Sequence, residues 1–118
     1  MVDKKVTKKQ QKINEKKELR LKDANWAKQV KERIPACVIC GATIRLNAHH
    51  IIPREIKETR HDPLNGISLC PKHHKFGIFS AHRNPLWFLT LLKLKAPNKY
   101  NYLVNQTIQL DLKYTDTI

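Results

Sequence analysis

The stretch AHHIIPREIKETRHDPLNGISLCPKHHKFGIFSAH, from Ala48 to His82, decides the reading of this chain. It contains all six histidines of the protein, with Asn65 and Cys70 between them. A buried imidazole needs partners for two polar nitrogens, so packing is a poor account of so many rings in one short segment. The segment is expected to build a metal-dependent site, which the rest of the chain braces or brings to its target.

Overlapping the start of the stretch, Leu46 to Pro53 carries the β-branched pair Ile51-Ile52 and predicts a strand that ends at the proline. Asp62-Pro63 and Asn65-Gly66 are turn signals, and Gly66 to Leu69 predicts a second strand, so the pair forms a hairpin with a long loop. Pro71 suits the first position of a helix running to Phe76, with Gly77 as its stop. Downstream, Asn84 caps a helix through Leu94 whose apolar surface is Leu86, Trp87, Phe88, Leu89 and Leu92. A short helix is expected over Pro97 to Asn105. The alternation of Ile108, Leu110 and Leu112 with polar residues predicts a strand over Thr107 to Lys113.

Upstream, residues 1–33 carry twelve basic residues against five acidic ones and no glycine or proline. This composition predicts a helix over about residues 10–33, frayed in its first half and docked by a stripe of Leu19, Trp26 and Val30. Ile34-Pro35 ends it, because proline disfavours helical backbone in the residue before it. The chain thus divides into a basic helical extension, 1–33, and a domain over 34–118. The latter is small enough to gain from a metal.

The formal net charge is +13. Such an excess calls for a polyanionic partner, nucleic acid first, and Lys8, Lys9 and Lys12 are candidates to track DNA phosphates. A solvated face that keeps the protein in solution is the plainer alternative for the same lysines. The longest apolar run, Leu86 to Leu92, is far too short to span a bilayer, and no apolar segment follows the charged N-terminus as in a secretory signal. An intracellular, reducing location is expected. The cysteines agree: there are three, and Cys37 and Cys40 have C-x-x-C spacing, which suits metal ligation rather than a disulfide framework.

Cys37-x-x-Cys40-Gly41 and Cys70-x-x-His73 form two knuckles that together offer three thiolates and one imidazole. That donor set suits tetrahedral Zn²⁺ in a closed, structural site. The alternative is a redox pair at Cys37 and Cys40 with Cys70 as a core thiol.

His49, His50, Asn65, His74 and His82 make up a second set. Here HHIIP, LNGISLC and PKHHK resemble the three parts of an HNH endonuclease, the ββα-metal or His-Me finger family. The steps of fifteen residues from His50 to Asn65 and nine from Asn65 to His74 are those of that family. The resemblance covers about residues 37–82, and LCPKHHKFGIFSAHRNP is similar to small phage-type members. It implies an α+β fold with a small ββα-metal core and a structural zinc, flanked by the N-terminal helix and by C-terminal helices. Many members have four cysteines at the zinc knuckles; His73 stands here in place of the fourth.

The resemblance implies a metal-dependent endonuclease that hydrolyses DNA phosphodiester bonds and leaves 5′ phosphate and 3′ hydroxyl ends. It assigns the general base to His50, a positioning role to Asn65, and the catalytic divalent cation (Mg²⁺, Mn²⁺, Ni²⁺ or Zn²⁺) to His74 and His49. His82 is a further ligand if the backbone near Gly77 and Ser80 loops back. Arg54 and Arg60 are candidates for bidentate phosphate contact, with pairing to Glu55, Glu58 or Asp62 as the alternative. His61 is expected at the surface or in a loop contact. DNA is the implied partner, with phage packaging or other DNA-processing proteins, and the host cytoplasm, if the chain is phage-encoded. A non-catalytic zinc-dependent nucleic-acid-binding module and an RNA-directed protein are the competing readings.

Overall fold

The computed structural model describes residues 6–114. Helix α1 (Lys8–Arg33) opens on Thr7, whose hydroxyl accepts the Gln10 N–H at 3.1 Å. It runs without a break to Ile34, where Pro35 follows. The predicted apolar stripe is shorter than expected: Trp26 and Val30 are buried, whereas Leu19 is 39% exposed. The helix therefore docks through its last turns only.

Strands β1 (Asn47–His49) and β2 (Ile67–Leu69) pair antiparallel, with Asn47 opposite Leu69 and His49 opposite Ile67. The strand expected to reach Pro53 stops four residues early, and the cause is local. The Ile52 N–H donates to the Asn65 side chain at 2.6 Å, and the Ile52 carbonyl accepts from the same amide at 3.0 Å. A side chain has taken the groups that would continue the ladder, so the chain leaves the sheet at His50.

After β2, Lys72–Phe76 forms one π-helical turn, closed by the Gly77 N–H donating to the Lys72 carbonyl at 2.8 Å. A Cβ at Gly77 would lie 2.7 Å from that same carbonyl oxygen, so glycine is required where the turn closes. The short helix anticipated here exists, but with a wider turn than an α-helix, as happens often at functional sites.

Helix α2 (Pro85–Lys95) is capped by the Asn84 side chain, which accepts the Trp87 N–H at 3.2 Å, and it buries Phe88 and Leu92. Helix α3 (Pro97–Tyr114) corrects the prediction of a short helix followed by a strand. Leu103 and Leu110 are buried, seven residues apart on one helical face, while Ile108 and Leu112 are 55% and 75% exposed. The alternation over Thr107–Lys113 was thus a chance overlay on a helical period, and the sheet has only β1 and β2 among the described residues.

The core gathers Cys37, Ile67, Leu69, Cys70, Ala81, Phe88 and Leu92. The small hairpin is held from both sides. Trp26 donates its indole N–H to the Asp62 carbonyl at 2.8 Å, and from α3 Tyr102 donates to the Asp62 carboxylate at 2.7 Å while Lys99 reaches the Gly66 carbonyl at 2.8 Å. The result is an α+β architecture of one hairpin, one helical turn and three longer helices. No helix of the described residues is long and apolar enough to cross a membrane.

Candidate functional site

Two clusters of ligand-type side chains flank the π-helical turn. In the first, the ligand atoms of Cys37, Cys40, Cys70 and His73 all lie within 4.8 Å of one another. The Cys40 and Cys70 sulfurs are 3.7 Å apart, and His73 Nδ1 lies 3.2 Å from the Cys70 sulfur and 3.8 Å from that of Cys37. Sulfurs at ~2.3 Å from one tetrahedral ion would be separated by about 3.8 Å, so the spacing fits a shared metal. The three cysteines are free thiols. Burial pushes the Cys37 thiol up, but backbone N–H groups of Cys70, Cys40 and Ile39 aimed at its sulfur more than offset this, and the net direction is down. Gly41, at φ 78°, makes the tight turn behind the knuckle, where its N–H bonds the Cys37 carbonyl at 2.8 Å.

The second cluster joins His49, His74 and His82, again with ligand atoms within 4.8 Å. His49 ends β1 and His74 sits on the π-helical turn. His82 is brought back by two backbone bonds, Ala81 N–H to the His73 carbonyl at 2.8 Å and His82 N–H to the His74 carbonyl at 3.1 Å. This is the loop-back near Gly77 and Ser80 on which its assignment depended. The Nε2 atoms of His74 and His82 are 3.0 Å apart. Burial, then the neighbouring His74 and His82, pushes His49 down to about 3. Burial, then His82, takes His74 to about 4. Burial lowers His82 as well. Near neutral pH all three rings therefore offer lone pairs, as a cation requires.

His73 and His74 are adjacent in sequence yet serve different clusters. Neighbouring residues on a helical turn leave the axis in diverging directions, roughly 100° apart in an α-helix, and that is enough to part them.

His50 follows the end of β1 and so escapes the strict alternation that would have turned it away from His49. Both line a cleft of about 570 Å³, with Arg54, His74, Lys75 and His82 also on its wall. The His50 ring lies flat on Trp26, centroids 3.6 Å apart and planes 6° from parallel. Its Nε2 is 2.8 Å from the Arg60 carbonyl. A carbonyl only accepts, so Nε2 carries the proton and the lone pair is left on Nδ1. Burial lowers the His50 pKa, and the bond to Arg60 works against it.

Asn65 is fully buried. Its amide donates to the carbonyls of Ile52 and Thr59, at 3.0 and 3.1 Å, and its oxygen accepts the Ile52 N–H. It thus ties down the loop whose next residue, Arg60, supplies the carbonyl under His50.

Arg60 itself is held by none of the three acids considered for it. Asp23, on α1, grips the guanidinium through two bonds of 2.9 and 2.7 Å and also meets His61 Nε2 at 2.8 Å. The bond to Arg60 holds the Asp23 carboxyl down at about 2. His61 is therefore a loop contact. Arg60, Lys8, Lys9 and Lys12 do not line the cleft; Arg54 does. The lysines are exposed on the first turns of α1. Sequence reading missed Asp23 and saw Trp26 only as a core residue. Nothing in their spacing from His50 announces contact across a long loop.

A two-stranded hairpin, a helical turn carrying ligands and two metal-type clusters define a ββα-metal unit. Residues 37–76 match the HNH endonuclease family. The family implies a nucleic-acid substrate and nuclease-type chemistry supported by a divalent metal. The matched segment holds all four ligands of the first cluster and His49 and His74 of the second, but it ends before His82 and begins after α1. No curated protein and no solved structure matched the chain.

Proposed function

We propose that the chain is a metal-dependent endonuclease acting on DNA, with His50 as general base. The observation that carries this is the placement of His50, whose Nε2 lies 2.8 Å from the Arg60 carbonyl. Its proton is committed to the Arg60 carbonyl, so an unprotonated Nδ1 remains on a cleft that also holds three neutral imidazoles. In this reading Nδ1 takes a proton from water as the water oxygen attacks phosphorus and the bond to the 3′ oxygen breaks. Arg54 on the cleft wall orients the phosphate, and Asn65 keeps the loop beneath His50 in place. A divalent cation held by His49, His74 and His82 would supply charge for the phosphate and the leaving oxygen. Zn²⁺ on Cys37, Cys40, Cys70 and His73 would be structural. Lys8, Lys9 and Lys12 extend the contact to the DNA backbone, while Arg60 stays paired with Asp23. Free thiols and thiolate ligands favour a reducing, intracellular setting.

The test is cleavage of supercoiled plasmid with Mg²⁺, Mn²⁺, Ni²⁺ or Zn²⁺. His50→Ala is expected to lose on the order of 10²–10⁴ in rate while still binding DNA. Equal cleavage by the variant, or none by the wild type with any metal, removes the proposal. The competing reading, a zinc-dependent binding module, predicts salt-sensitive binding that tolerates loss of His50 and His74 but not of Cys37, and no cleavage.

A further inference from the structure

We propose that α1 is a working part of the active site: through Trp26 and Asp23 it holds His50 in the orientation and tautomer that a general base needs. This rests on the reading of His50 as the base and extends it to residues outside the segment that matches the family.

Two contacts converge on the imidazole. Its face is covered by Trp26, which is 3% exposed and lies parallel to it. The indole is itself fixed at its edge by the 2.8 Å bond to the Asp62 carbonyl, so it is a rigid wall and not a mobile lid. The edge of the imidazole is fixed by the Arg60 carbonyl, and that carbonyl is anchored from two directions. Asn65 holds the preceding residue through the Thr59 carbonyl, while Asp23 holds Arg60 by a two-bond fork and His61 by a third bond. Asp23 and Trp26 are three residues apart, so they occupy one helix face and act on the ring together.

The chemistry makes this positioning matter. If the ring turned over, or if the proton moved to Nδ1, an N–H would stand where a lone pair must receive the proton of water. A bidentate arginine–carboxylate pair fixes direction as well as distance, which a single loop hydrogen bond does not. Trp26 has a packing role too: with Val30 it closes over Gly66, where a Cβ would lie 2.7 Å from the indole and 2.5 Å from Val30. The experiment must therefore read something that packing alone leaves unmoved.

The variants are Asp23→Asn, Trp26→Leu and Trp26→Phe, made in the full chain and checked for metal content and melting temperature. Cleavage of a DNA duplex is resolved into kcat and KM, and the His50 tautomer is read from the ¹⁵N shifts of its ring nitrogens. Asp23→Asn and Trp26→Leu are expected to lower kcat roughly ten- to a hundredfold, the range for an imidazole's outer partners, with KM unchanged. The His50 signals should pass from a single Nε2–H form toward a mixture. Trp26→Phe, which keeps an aromatic face, should recover most of the rate. The positioning role is overturned if His50→Ala is inactive while Asp23→Asn and Trp26→Leu keep wild-type kcat and an unchanged His50 spectrum. Full activity of His50→Ala would overturn the base assignment and this inference with it.

Discussion

The two clusters on either side of the π-helical turn share a secondary-structure element and differ in almost everything that decides their use. One has four donors, three of them sulfurs, and Cys37 and Cys70 belong to the buried core. The other has three nitrogens and opens onto a cleft of about 570 Å³. A soft, four-donor set can complete a tetrahedral shell and leave nothing for a substrate. Three imidazoles cannot, and the cleft beside them leaves room for a phosphate. The two sets are thus separated by donor number and donor type, across the single peptide bond between His73 and His74.

The strongest way to break this contrast is to remove a ligand from the closed site. Cys70→Ala takes away a donor that also sits at the end of β2, in the core cluster. Structural zinc sites contribute about 10–16 kcal/mol in isolated peptides, which equals or exceeds the whole stability of a small domain. Cys70→Ala is expected to abolish cooperative unfolding and to empty both sites, as followed by circular dichroism and metal analysis. A Cys70→Ala protein that melts cooperatively and keeps its metals would show that this cluster is not the structural one.

The same operation on the open site should spare the fold. His74→Ala is expected to lower the bound divalent metal from two equivalents to one and to reduce cleavage on the order of a hundredfold or more. The melting temperature measured with the closed site loaded should change by only a few degrees. Unfolding of His74→Ala would erase the distinction between the clusters.

How much of this the sequence disclosed depends on the range over which each signal acts. Cys37, Cys40, Cys70 and His73 were legible as one set because knuckle spacing is a local property and the ligand types are rare. The step from His50 to Asn65 and on to His74 was legible by resemblance. What escaped was set by long-range contact. The early end of β1 depends on Asn65 occupying the backbone of Ile52, thirteen residues away. The Asp23 grip on Arg60 spans thirty-seven residues, from a helix whose first half carries mainly surface charge. The false strand at Thr107–Lys113 arose where two periods fit the same apolar residues, and burial of Leu103 with Leu110 decided for the helix.

A finer test of the contrast uses acid. A mild chelator should empty the three-histidine site first, since thiolates bind the closed-site ion more tightly. In that protein His49 titrates at about 3 and His74 at about 4, against roughly 6.5 for the same rings in an unfolded chain. Below 6.5 the unfolded state takes up protons that the folded state resists, so acid favours unfolding. The stabilising contribution is complete above about 6.5 and is lost progressively as pH falls toward 4 and then 3. Over the first unit below 6.5 each ring costs roughly 1 kcal/mol, or several degrees of melting temperature. Melting curves from pH 7.5 to 5.5 should therefore slope downward for the chelated protein. Adding Ni²⁺ or Zn²⁺ should flatten them, because an ion that binds only the folded state competes with the protons for the same lone pairs. A flat curve before the metal is added would mean that His49 and His74 are already open to water, and the three-histidine site would lose the burial that distinguishes it from a surface cluster.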